Sequence, residues 1–348
     1  MENRQATRKK ATANVAVVGC GHWGRNLIRN FYSLGHLRAI CESNPAALEV
    51  FEAQCPGAQG YQRFEDLLKD PEIDAVVLAT PAEWHYPMAM AALSAGKDVF
   101  VEKPLALDAE DGREMVLEAH ERGAILMVGH LLRYHPAILK IQEMVADGTL
   151  GRLDYIYSNR LSMGKIRQEE NALWSFAPHD ISVILALVGQ MPVQVTATGG
   201  AYLQPNIADV TVSNLLFDRG TRCHIFVSWL HPYKEQRLVV VGSKQMVVFE
   251  DSRAENKLMA FDKHIEWKNG ALEATKPQGT PIPFAAEEPL RRECQHFVDC
   301  VLHRKAPLTT GEEGVRVLQV LQACQRSLQM NGEPVQVTVA GLQRVLAI

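Results

Sequence analysis

A short apolar run, residues 14–19, passes directly into Gly19-Cys20-Gly21-His22-Trp23-Gly24, and a helical apolar pattern of Leu27, Ile28 and Phe31 follows at once. This order restricts the fold more than any other stretch. An unbroken apolar run reads as a parallel strand buried on both faces, and three spaced glycines between strand and helix read as a βα turn tight enough to cradle a phosphate. Gly19 supplies the turn, Gly21 lets a pyrophosphate approach the backbone, and Gly24 lets the helix pack on the strand. The helix N-terminus receives the anion, and His22 and Trp23, inside the turn, belong to the same binding edge.

The pattern then repeats. A strand at 37–41 ends at Glu42, 18 residues beyond Gly24, where an acid grips the adenosine ribose 2′-hydroxyl of a dinucleotide. A carboxylate there repels a 2′-phosphate, so the cofactor expected is NAD rather than NADP. The alternative for Glu42 is a surface residue opening the next turn. A helix at 64–69 and a strand at 75–79 follow, then the loop Thr80-Pro81-Ala82-Glu83-Trp84-His85, a helix at 86–94, and the strand Asp98-Val99-Phe100-Val101 ending on Glu102-Lys103-Pro104. A helix at 109–121 and a strand at 125–129 complete the half. Alternating strands and helices imply a doubly wound parallel sheet, which gathers ligands outside the carboxyl ends of its strands. Glycine loop, Glu42, Thr80, Pro81, His85, Glu102 and Lys103 all fall there.

A crossover helix begins at Arg133-Tyr134-His135-Pro136 and runs to residue 145, and beyond Gly148 and Gly151 the grammar changes to strands with period-two alternation. Cys223, Ile225, Val227 and Trp229 point one way, and Arg222, His224, Phe226 and Ser228 the other. Strands are expected at 153–160, 193–198, 210–217, 221–230, 237–241 and 245–250, with Gly242-Ser243 as a hairpin turn and late helices at 288–303 and 312–330. The fold class is α/β: a Rossmann domain at 14–133 after a basic tail at 1–13, then an α+β domain at 134–348 with a large, mostly antiparallel open-faced sheet. The open face is expected to pair copies of the chain as a dimer or tetramer.

At 348 residues the chain can bury a core in each of two domains, and its net charge of −4 argues against nucleic acid as a partner. The seven cysteines are scattered without a Cys-x-x-Cys pair and read as reduced thiols of a cytoplasmic protein. The longest apolar run, 181–188, falls far short of the roughly 20 residues that span a bilayer, so no membrane role is expected. No His, Cys, Asp or Glu cluster has the spacing of a metal site.

Lys103 leaves the sheet edge where the nicotinamide of a bound cofactor belongs, and a lysine in restricted surroundings is a candidate for a tuned catalytic group; pairing with Glu102 is the plainer alternative. In Trp174-Ser175-Phe176-Ala177-Pro178-His179-Asp180, Pro178 predicts a helix over 178–188 with His179 in its first turn, where the dipole keeps imidazole neutral and able to accept a proton. A satisfied core histidine is the equal alternative. The loop 161–171 carries Lys165 and Arg167, which suit a diphosphate or, equally, a solvated charged loop pairing with Glu169 and Glu170.

With GCGHWG after the first strand, EKPLAL after the fifth and a histidine on the helix of a following sheet domain, the chain resembles the Gfo/Idh/MocA family of NAD(P)-dependent sugar oxidoreductases over nearly its whole length. The resemblance implies the two-domain fold, a nicotinamide cofactor, and a lysine and histidine at the substrate hydroxyl, mapping onto Lys103 and His179. The family commonly has an aspartate four residues before that histidine. Here Ser175 holds the place and Asp180 follows His179 as a partial substitute. The stretches Tyr157-Ser158-Asn159-Arg160-Leu161, Gly164-Lys165-Ile166-Arg167 and Glu169-Glu170-Asn171 together with Trp174 to Asp180 look like the branch acting on nucleotide sugars, UDP-N-acetylglucosamine 3-dehydrogenases in particular, whose 3-keto product feeds an aminotransferase and amino-linked lipid A. On that reading Arg133, Tyr134, Asn159, Arg160, Lys165, Arg167, Asn171, Trp174 and Ser175 join Lys103 and His179 around a UDP-sugar, with Arg160, Lys165 and Arg167 on the diphosphate. Two other readings are a dehydrogenase of free sugars or inositols and a non-catalytic NAD- or sugar-sensing regulator.

Overall fold

A computed structural model describes residues 12–262, 265–274 and 277–337; the basic run Arg4 to Lys10 lies outside them. The described residues divide into two compact units: one holds those up to His130 together with Glu288–Val315, the other those within Leu131–Glu287 and those from Arg316 to Val337.

The first unit alternates β1 (Val15–Val18), α1 (Gly24–Ser33), β2 (Leu37–Cys41), α2 (Pro45–Gln54), β3 (Gln59–Tyr61), α3 (Phe64–Leu68), β4 (Ala75–Leu78), α4 (His85–Ser94), β5 (Asp98–Glu102), α5 (Ala109–Arg122) and β6 (Leu126–Gly129). All strands are parallel, in the order β3-β2-β1-β4-β5-β6. Every residue of β1, β4, β5 and β6 is buried, as an apolar strand covered on both faces must be. The order reverses between β1 and β4, and the crevice at such a switch point is where these sheets bind ligands. Local signals set the helix starts: the Asn44 side chain accepts the Ala46 and Ala47 amides ahead of Pro45, and Asp108 accepts the Glu110 amide. The short β3 has no apolar alternation of its own and forms only as the partner of β2.

The second unit begins with a 3-10 turn, Leu131–Tyr134, and continues through α6 (Pro136–Ala146), β7 (Leu153–Met163), α7 (Ala172–Val188), β8 (Gln194–Gly200), β9 (Val210–Leu216), β10 (Arg222–Ser228), β11 (Leu230–Gly242), β12 (Gln245–Glu250), β13 (Leu258–Asp262), β14 (Ile265–Lys268), β15 (Ala271–Ala274) and β16 (Gly279–Pro281). Then α8 (Pro289–His303) returns to the first unit. The last helix, α9 (Gly311–Gln329), opens there, and its greater part belongs to the second unit, as does β17 (Val335–Gln336). Among the described residues nine strands make one sheet, ordered β16-β13-β12-β11-β7-β10-β9-β8-β17; the pairing is antiparallel except for β7 with β10. One face carries Ile156, Cys223, Ile225, Val227, Leu238 and Val240 into a core with Ile181, Ile184 and Leu187 of α7. The other presents Tyr155, Tyr157 and His224, half-buried, with the Tyr157 ring stacked on His224 at 5.2 Å.

Two expectations are corrected. The β11–β12 turn falls on Ser243 and Lys244, because β11 runs through Gly242; a Cβ there would come within 2.0 Å of the Leu150 carbonyl oxygen, so that glycine serves close backbone approach rather than the turn. The helix bearing His179 begins at Ala172, six residues before its expected start, with Pro178 in its interior. Proline there forfeits one i−4 bond and strains the turn, at about 3 kcal/mol in an ordinary helix. Asn171, whose side chain accepts the Trp174 amide, and the burial of Leu173, Ala177, Ile181 and Ile184 outweigh that loss. His179 is therefore two turns inside α7. The dipole effect fades beyond the first turn, so it does not fix the imidazole's charge state.

Candidate active site

In the first unit the expected residues collect at the carboxyl ends of the strands. Gly19 has a φ of +93°, and a Cβ on it would meet the Ala79 carbonyl oxygen at 2.9 Å; on Gly24 a Cβ would lie 1.9 Å from the Gly19 carbonyl oxygen. Nothing stands within 4 Å of a Cβ position on Gly21, and Gly21 and His22 are exposed. Two glycines thus close the turn while the third leaves open backbone. Glu42 is fastened to this loop: its Oε2 accepts the Cys20 amide at 2.8 Å and its Oε1 the Asn44 amide at 3.0 Å. Loop, helix N-terminus and carboxylate fit a dinucleotide, whose pyrophosphate the open amides would hold.

A second set of contacts ties the neighbouring loops to each other. The Trp23 indole donates to Glu102 Oε1 at 2.5 Å, joining the glycine loop to the end of β5, and the Lys103 amide donates to Glu102 Oε2 at 3.3 Å. Burial pushes the Glu102 carboxyl up to about 7, against the Trp23 hydrogen bond, the Lys103 charge and the Lys103 amide, which all pull it down. His85 is buried between two carbonyls, Nδ1 at 2.7 Å from Pro104 O and Nε2 at 2.9 Å from Thr80 O, so it straps the loop after β4 to the loop after β5. Burial lowers its pKa and the two carbonyls oppose that. In this setting His85 holds loops in place. Thr80 Oγ1 is buried without a hydrogen-bond partner, Pro81 is exposed, and the Lys103 side chain is half-buried.

The second unit places its candidates differently from the sequence-based expectation. Arg160, expected on a diphosphate, instead clasps Asp180: Nε lies 3.0 Å from Oδ2 and Nη2 3.0 Å from Oδ1, while Ser158 Oγ donates to Oδ1 at 2.7 Å. Asp180 is 3% exposed, so this is a buried, bidentate ion pair. It borders a pocket of about 20 Å³ lined by Leu132, Ile138, Gln236, Phe249 and Asp251, room for about one water molecule. Arg167 Nε pairs with Glu170 at 3.1 Å, and Lys165 is exposed. Asn159 donates to Glu235 at 2.8 Å. Asn171 Nδ2 and Trp174 Nε1 both donate to Gln325 Oε1 of α9, at 2.9 and 3.1 Å. Arg133 and Tyr134 are buried in the 3-10 turn packed on α7, Ser175 is buried, and His179 is half-buried on the same helix.

Gln325 and Ser158 carry part of this network and have no local signature, since their partners lie up to 154 residues away. One unanticipated residue did leave a trace. Glu293 falls in the apolar stripe of α8, among Leu290, Cys294, Phe297, Val298 and Val301, where a charged residue is out of place. Among the described residues no group of three His, Cys, Asp or Glu could hold a metal ion, and no helix is long and apolar enough to cross a membrane.

Residues 13–130 match the oxidoreductase family with an NAD-binding Rossmann fold, GFO/IDH/MocA, and residues 138–248 match that family's C-terminal domain. The chain belongs to the Gfo/Idh/MocA oxidoreductase family. It is 27% identical over 308 residues to the UDP-N-acetylglucosamine 3-dehydrogenase of Acidithiobacillus ferrooxidans, covering 87% of this chain and 93% of that one. It is 26% identical over 340 residues to the scyllo-inositol 2-dehydrogenase (NAD(+)) of Bacillus subtilis, covering 93% and 96%. Among solved structures, the WlbA dehydrogenase of Bordetella pertussis in complex with NADH and UDP-GlcNAcA superposes with a TM-score of 0.77 at 25% identity, covering 94% of this chain and 99% of that one. This member of the Gfo/Idh/MocA family is thus an NAD-binding oxidoreductase.

Proposed function

We propose that this Gfo/Idh/MocA enzyme oxidises the 3-hydroxyl of a UDP-linked N-acetylhexosamine, UDP-N-acetylglucosamine, to the 3-keto sugar. What supports this most is the similarity, over 93% of the relative's length, to an enzyme named for that reaction. NAD, when bound, accepts the hydride from C3. His179 takes the hydroxyl proton as general base, and the Lys103 ammonium holds the oxygen, a hydrogen bond that strengthens as alkoxide character develops. The exposed Lys165 receives the diphosphate. A ketone made in this way is the substrate type an aminotransferase consumes, and the chain works in the cytoplasm as a homo-oligomer through its open sheet face.

A second reading, a dehydrogenase of a free cyclitol, is favoured by one observation: Arg160 and Arg167 are already paired with Asp180 and Glu170, which leaves few cations for a diphosphate. Incubating the protein with NAD and a panel of UDP-sugars, free sugars and inositols, with a hydrazine to trap ketone, and following NADH absorbance separates the two. NADH formation with UDP-N-acetylglucosamine is the expected result. Formation with inositols alone overturns the proposal.

Glu42 sets the cofactor preference within this reading. Replacing it with alanine removes the ribose acceptor and the charge that repels a 2′-phosphate. The expected outcome is about a tenfold weaker NADH complex and a relative gain for NADPH, measured by fluorescence titration of both cofactors.

A further inference from the structure

In the first unit α8 crosses β5 with Phe297 on Phe100, ring centroids 5.5 Å apart, and on Phe31 of α1 at 6.4 Å. Glu293 is one helical turn before Phe297, and Glu102 is two residues after Phe100 on the same face of β5. The register that stacks the rings therefore sets Glu293 against Glu102. Glu293 is 0% exposed, and neither of its carboxyl oxygens has a hydrogen-bond partner. Glu102 is 8% exposed and receives the Trp23 indole from the glycine loop. Gly129 lets the pair fit, since a Cβ there would lie 2.8 Å from Glu102 Oε2.

An ionised carboxylate with no donor, out of water and beside a second carboxylate, is untenable; two acids so placed keep at least one proton between them. We propose that Glu293 is an uncharged positioning residue that holds the proton of a Glu102–Glu293 acid pair, so that the pair carries at most one negative charge, and that this charge state governs how firmly Trp23 pins the glycine loop over the NAD site. Burial, and then the charge of Glu102, holds the Glu293 carboxyl well above the ordinary glutamate range. Glu102 acts on Glu293, Lys103 after β5 acts on Glu102, and Cys294 on α8 lies beside both carboxyls, with Glu288 at the cap of α8 and Arg29 on α1 acting in turn on Cys294. The inference rests on the NAD site and not on any choice of substrate.

The sign of the pH effect follows from linkage. The folded protein holds a proton on Glu293 that the unfolded chain releases above the ordinary glutamate pKa of about 4.3, so wild-type stability falls as pH rises from there toward the raised value. In Glu293→Gln, which keeps the shape and cannot ionise, that loss disappears. The test compares wild type with Glu293→Gln in three measurements on the full chain: melting temperature against pH, NADH affinity against pH by fluorescence titration, and the infrared carbonyl band of a protonated carboxylic acid. The expected result is an acid band that persists in wild type above the Glu102 pKa of about 7 and that Glu293→Gln lacks there, NADH affinity within about twofold at pH 7, and a melting-temperature advantage for Glu293→Gln that widens as pH rises. Wild-type NADH affinity then falls at alkaline pH by about fivefold more than that of the variant, a change that packing alone does not produce. A wild type without the acid band, or a Glu293→Gln that is destabilised or loses NADH affinity equally at every pH, would overturn the proposal.

Discussion

Replacing Lys103 with methionine is expected to lower kcat by about 10²- to 10⁴-fold and to leave NADH affinity within about twofold. Methionine keeps the length and the apolar stem and removes only the charge and its donors. The groups that would hold the dinucleotide are the open amides beside Gly21, the α1 terminus and Glu42, and the substitution leaves each of them in place. The Lys103 amide remains fastened to Glu102, and His85 remains on the adjoining Pro104 carbonyl. Steady-state kinetics on the substrate found in the panel, with fluorescence titration of NADH, checks both halves. Near-normal turnover would remove Lys103 from the chemistry.

The second large effect is on stability. Asp180→Ala is expected to cost about 3–5 kcal/mol, because it takes the two-point carboxylate partner from the buried Arg160 guanidinium and the shorter of two acceptors from Ser158. Equilibrium urea unfolding of the variant measures this. The same experiment decides what Asp180 does. An aspartate serving only as a relay behind His179 would lower kcat and leave the unfolding free energy within about 1 kcal/mol of wild type. The two-point clasp from Arg160 at 3.0 Å favours the structural outcome.

The dinucleotide half was largely legible because its information is local. Apolar runs mark strands buried on both faces, glycines mark a turn with no room for a Cβ, and the order of elements leaves few topologies once crossovers must be right-handed. The strands at 37–41 and 245–250 begin and end where the pattern places them. The start of α7 was not legible, because proline's local preference for a first turn gave way to the Asn171 cap and to burial along the whole helix. The role of Arg160 was equally hidden. A basic residue in a strand next to a charged loop reads as a ligand contact, and only the packing of α7 on the sheet shows the carboxylate that already holds it.

The linear order of residues by itself determined the Rossmann unit, the NAD edge and the family, since each depends on neighbours a few positions apart. Tertiary structure alone decided which charged groups are already committed to one another. The Arg160–Asp180 clasp, the convergence of Asn171 and Trp174 on Gln325, and the meeting of Glu293 with Glu102 join residues 20 to 191 positions apart. A charge is fixed by whatever lies within a few ångströms in space, and folding, not sequence distance, chooses that neighbour.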